Sequence, residues 1–122
     1  MGNIAALGLA EDIRVDTARV QSIVDELGQV AADGIIQMAL EQMALAVTAL
    51  QAAATAGDGP AIVAQADRLS RLAWQVGLVS LAAVASDVAQ CARHEDRVPL
   101  TATLARAIRV ANRSLTEIWD RV

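Results

Sequence analysis

Apolar positions recur at intervals of three and four along most of this chain, the spacing of one face of an α-helix. Ile13, Thr17, Val20, Val24 and Leu27 trace such a face over residues 12–27, and Gly28 can end it. A second stripe, Ile36, Leu40, Met43, Val47, Leu50 and Ala54, predicts a helix over 33–56, with Asp33 as its N-cap. Gly57-Asp58-Gly59-Pro60 breaks that pattern and starts the next helix, since proline at a first helical position loses no hydrogen bond. Over 60–76, Ile62, Ala66, Leu69, Ala73 and Val76 point one way, while Asp67, Arg68, Ser70 and Arg71 mostly do not. Gly77 marks a turn or a tight packing point. A fourth helix is expected over 78–93 on Leu81, Val84, Ala85 and Val88. His94-Glu95-Asp96-Arg97 reads as a charged loop. A fifth helix, 99–120, carries Leu100, Leu104, Ile108, Ala111, Leu115 and Ile118.

The connections are short, so successive helices should lie antiparallel. No alternation of period two is sustained, so no sheet is expected, and no internal repeat is visible. The predicted fold class is all-α: an antiparallel up-down four-helix bundle with an additional short N-terminal helix. It forms a single domain over 1–122, with residues 1–11 as a loose lead.

Composition sharpens this picture. A chain of 122 residues suits one core. Hydrophobic residues make up 55%, yet aromatics only 2%, with no Phe or Tyr. The core must therefore be aliphatic. Alanine is the commonest residue and the best helix former, which favours close helix axes. Trp74 and Trp119 are expected as large core or boundary fillers, with an anchor for a partner as the other reading. The uncharged runs 42–57 and 72–86 fall short of the roughly 20 residues that span a bilayer, and they read as buried helices, with no membrane partner. The N-terminal stretch lacks the basic flank of a signal peptide. Gly2 suggests myristoylation, but Ala6 stands where Ser or Thr belongs. One cysteine cannot staple the fold, which points to a reducing, cytoplasmic setting. Every basic side chain is Arg, and the net charge of -4 argues against a nucleic-acid binder.

The candidate chemistry is sparse. His94 is the sole histidine, and at a helix C-terminus it complements the dipole. Cys91, one turn earlier, would need two further ligands to hold a metal, and the chain has no other Cys or His. Cys91 therefore reads as structural, and neither a metal nor a cofactor is expected. The 56–60 segment lacks the Lys-Ser/Thr pair of a phosphate cradle. Glu11, Asp12, Asp16, Asp25 and Glu26 read as caps and solvated faces. No nucleophile-and-base set is visible, so no catalytic residue is assigned and the chain is not expected to be an enzyme.

One stretch carries a resemblance. Ala54-Thr55-Ala56-Gly57-Asp58 is followed by Ala66-Asp67-Arg68-Leu69-Ser70-Arg71-Leu72-Ala73 and then by Val76-Gly77-Leu78-Val79-Ser80-Leu81-Ala82-Ala83-Val84-Ala85. This order resembles the histidine-containing phosphotransfer domains, helical bundles that pass phosphate between receiver domains in two-component signalling. The resemblance is strongest over residues 43–92, and Ala66, Leu69, Gly77, Leu81 and Ala85 fall on its framework positions. It also implies a departure. Asp67 stands where the family has its phosphoacceptor histidine, Ser70 where it has Lys, and Arg71 where it has a small Gly.

What the resemblance implies is a degenerate module. It would bind a response-regulator receiver domain or a histidine kinase without carrying phosphate, because a carboxylate with no evident cation beside it repels phosphate. The expected partner face is the outer side of the third helix: Asp67, Arg68, Ser70, Arg71 and Gln75. The alternative is a structural or homo-oligomerisation bundle, a homodimer pairing through Val98, Ala102, Ala105 and Trp119 of the final helix.

Overall fold

The computed structural model describes residues 14–95 and 97–121; of residues 97, 98 and 117–121 it describes the backbone alone. The expected lead over 1–11, the caps Glu11 and Asp12, Ile13, and the loop residue Asp96 lie outside the described residues. So do the side chains of Arg97, Val98, Ile118 and Trp119. Among the described residues the chain is all-α, with five helices: α1 (Thr17–Leu27), α2 (Gln29–Ala56), α3 (Gly59–Gln75), α4 (Val79–Arg93) and α5 (Arg97–Arg121).

Local chemistry explains most boundaries. Asp16 caps α1 by accepting from the Arg19 N–H, and Asp58 caps α3 by accepting from the Ala61 N–H. Pro60 sits in the first turn of α3, and Gly57 closes α2 in the left-handed conformation. The start of α2 differs from expectation. The helix begins at Gln29 after Gly28, without a side-chain cap, and Asp33 lies inside it, accepting from Gln29 Nε2 at 2.7 Å. Gly28 turns so tightly that α1 passes almost directly into α2, leaving no loop for Asp33 to cap.

Residues 14–16 are extended rather than helical. Val15 bridges Leu78, and Asp16 N donates to Gly77 O at 2.6 Å. The first N–H groups of α4, on Val79 and Ser80, donate to Arg14 O at 3.1 and 3.4 Å. Leu78 supplies no side-chain cap, so the entering chain, with the Gly77 carbonyl that also accepts from Val79 N at 3.0 Å, satisfies these donors. Gly77 makes the approach feasible. Its φ is +81°, and a Cβ there would stand 2.6 Å from Asp16 O.

The expected apolar stripes form one buried cluster. Ile36, Leu40, Met43, Val47 and Leu50 enter it from α2, and Ile62, Ala66, Leu69 and Ala73 from α3. Leu81, Val84, Ala85 and Val88 enter from α4. In α5 the buried face is turned slightly from the expected stripe: Ala107, Val110, Ala111 and Ser114 are buried, while Leu100, Leu104, Ile108 and Leu115 are half-buried. α3 packs against α2 on one side and α4 on the other, and α5 packs on α4, whereas α2 and α5 meet only sparsely. α1 buries no residue and rests on α2. The sparse contact leaves part of α2 uncovered, so its uncharged run over 42–57 is buried on one face through Met43, Ala46, Val47, Leu50 and Ala53 and exposed on another at Leu45. Val30, Ile35, Met38 and Leu45 are exposed there. By length and composition alone, α2 is long and apolar enough to cross a bilayer, yet its other face is part of the core.

Candidate functional site

The face singled out from the sequence lies on α3, whose core side is fixed by Ile62, Ala66, Leu69 and Ala73. The remaining residues fan out over a wide arc, and the structure divides them. Arg68 turns toward α2 and is half-buried, its guanidinium donating to Gln42 Oε1. Ser70 turns the other way, and its hydroxyl donates to Ala82 O of α4 at 2.9 Å. Gln75 is exposed, while its backbone carbonyl accepts from Arg19 Nε at 3.2 Å. Arg71 lies in the middle of the arc and is exposed. The five predicted residues are therefore not one continuous face. Arg68 and Ser70 are spent on holding α3 to its neighbours.

Asp67 is half-exposed on the α4 side, and Arg93 of α4 donates to its Oδ2. This corrects the expectation that no cation stands beside that carboxylate. The two residues are 26 positions apart, so only the packing of α3 on α4 brings them together. With side chains 34% and 46% exposed, the pair is screened by water and worth about 1 kcal/mol at most. Its consequence is positional: the carboxylate is already engaged on the outer surface.

Trp74 corrects a second expectation. It is 64% exposed, not a filler of the core. Its ring borders a shallow groove of about 330 Å³ between α3 and α4, with Ser70, Arg71, Val79, Ala82 and Ala83 as the other walls. The signal was present in the sequence. Trp74 follows Ala73, a core position, and stands one turn from Ser70 and Arg71, so the helical spacing alone turns it outward.

The remaining candidates stay apart from this face. His94 ends α4 as its C-cap and is exposed, with its N–H donating to Gln90 O. Cys91 is half-buried, its sulfur 3.8 Å from Thr103 Oγ1 of α5. Among the described residues no group of His, Cys, Asp and Glu could hold a metal ion. Ala102 and Ala105 of α5 are exposed. A wider cleft of about 800 Å³ opens at the other end of α3, between the Gly57–Gly59 turn, Glu95 and Leu104. Ser114 is fully buried, and its hydroxyl meets no partner among the described residues; nothing in the surrounding structure accounts for it.

No family model, curated protein or solved structure matches this chain.

Proposed function

We propose that this chain is a phosphotransfer-like module of two-component signalling that docks a receiver domain or a histidine kinase without itself carrying phosphate. In this reading α2–α5 form an antiparallel up-down four-helix bundle, α1 is its short leading helix, and the setting is cytoplasmic. The observation that carries it is the outer surface of α3. An acid, Asp67, occupies the position from which the resembling family extends an imidazole, and beside it lie exposed Arg71 and Trp74.

Each group has a physical role. Phosphoryl transfer to a histidine needs an exposed ring nitrogen as nucleophile, and Asp67 instead presents a carboxylate held by Arg93. Arg71 keeps its guanidinium in water, ready for bidentate pairing with the carboxylates that line a receiver's phosphorylation pocket. Trp74 and the groove toward Ala82 and Ala83 supply the apolar anchor that such a contact needs at its centre. Buried Ala66, Leu69, Leu81 and Ala85, with Gly77 at the turn, support the framework part of the resemblance.

The test is calorimetric titration against the receivers and histidine kinases encoded in the same genome. One of them should bind, and Arg71→Glu or Trp74→Ala should weaken that binding by about tenfold or more, the usual cost of losing an interface anchor. A chain that binds none of them is not such a module. In a parallel radiolabel assay no acid-labile phosphate should appear; stable label on His94 would overturn the claim that the chain carries none.

A further inference from the structure

The uncovered side of α2 has a regular order that its core face does not explain. Ala31, Ile35, Met38, Gln42, Leu45, Ala49 and Ala52 follow one another at steps of 4, 3, 4, 3, 4 and 3. That is the a/d spacing of a coiled-coil seam, sustained over three heptads. The core-facing stripe of α2 lies about a third of a turn away, so the seam borders the core, with Gln42 and Ala49 half-buried along that edge. Met38 is 65% exposed, Leu45 59% and Ile35 45%. The one polar member, Gln42, has its carbonyl oxygen satisfied by Arg68 of α3, and a contact that covers it must also pair its amide N–H groups.

We infer that this seam pairs with the same seam of a second copy of the chain, making a reversible homodimer. Charge selects this occupant. α2 contains Asp33 and Glu41 and no basic residue. Asp33 lies off the seam, and Glu41 stands at a flanking position where it can stay in water. A helix lying on a lipid surface presents Lys and Arg to the headgroups, which α2 cannot do. A bilayer-spanning pose would require Ile36, Leu40, Met43 and Leu50 to leave the core. A partner rich in charge would have to bury it against Ile35, Met38 and Leu45 unpaired. A copy brings a surface of the same period, equally free of charge, and a two-fold axis makes one patch suffice for both sides.

Area sets the strength. From Val30 to Ala52 the face is about 33 Å long, and half the wall of a helix about 11 Å across offers at most about 570 Å² per copy. The total, at most about 1,100 Å², lies near the lower bound for specific interfaces, which makes the contact a weak, reversible one.

The test is sedimentation equilibrium of the full chain from about 1 µM to about 1 mM, a span that brackets such a contact. Concentration-dependent dimer is expected. Met38→Glu and Leu45→Glu, both at exposed positions, should keep the helical circular dichroism and raise the dissociation constant about 100-fold or more, because symmetry places each new carboxylate in the interface twice. Asn112→Glu on exposed α5 should leave it unchanged. A monomer at every concentration overturns the inference. So does a dimer that survives both α2 variants, which would place the contact on another face. Flotation of a monomeric chain with phosphatidylcholine vesicles, lost in Met38→Glu, would assign the seam to lipid instead. This outcome is read independently of receiver binding, whose variants lie on α3.

Discussion

At the scale of single residues, glycine separates two kinds of demand. Gly57 and Gly77 both have positive φ, +68° and +81°. Around Gly57 a Cβ would meet nothing within 4 Å, whereas at Gly77 it would meet the Asp16 carbonyl at 2.6 Å. Gly57→Ala should therefore cost only the left-handed backbone penalty, about 1 kcal/mol. Gly77→Ala should cost that and a displacement of the extended residues 14–16, about 3 kcal/mol. Chemical denaturation of both variants measures the difference, and equal costs would mean that the bridge to Val15 contributes nothing. Asp67 makes a similar point about the site. Its chemistry was readable as a missing imidazole, but its ion pair with Arg93 was not, because sequence spacing does not report contacts between helices.

Among the helices, α1 stands out. Its apolar spacing is as regular as that of its neighbours, yet Val20 and Val24 are only half-buried and Leu27 is 50% exposed. Most helical stability in proteins comes from packing an apolar face, so α1 should open without the rest unfolding. Native-state hydrogen exchange should find the amides of Thr17–Leu27 less protected than those of α3 and α4 by about 100-fold or more. The Asp16 amide, bonded to Gly77 O, should be the slow exception nearby. Uniform protection across α1 and α3 would show that α1 is anchored more firmly than its burial suggests. The capping of α4 by Arg14 belongs at this scale too. No residue type at 78–80 announces it, since the acceptor lies some 65 positions earlier in the chain and is a backbone carbonyl.

Over the whole molecule, the core is aliphatic and rich in alanine, so its few large side chains hold a large share of the apolar contact. Leu69 is fully buried between helices. Leu69→Ala should cost about 2–5 kcal/mol, a large part of a typical stability of about 5–15 kcal/mol. Because α2, α3, α4 and α5 share that one cluster, the melting of all four should fall together in a thermal scan followed by exchange. Loss of protection confined to α3 would mean that the cluster is not a single cooperative core. The same arrangement accounts for the two outward surfaces. α3, flanked on both sides, exposes a narrow band around Arg71 and Trp74, while α2, packed closely only on α3, touched by α1 and meeting α5 only sparsely, exposes a broader face.

By itself the sequence determined the helices, their approximate ends, and the core-facing residues of α2, α3 and α4. These follow from spacing, capping and proline or glycine at the ends, all of which act within a few residues. Which side of each helix stays uncovered was decided only by the tertiary structure. The exposure of the second stripe of α2, the Asp67–Arg93 pair and the extended residues 14–16 that cap α4 depend on which helices pack side by side, and a repeat of three and four looks the same whether a neighbour covers it or water does.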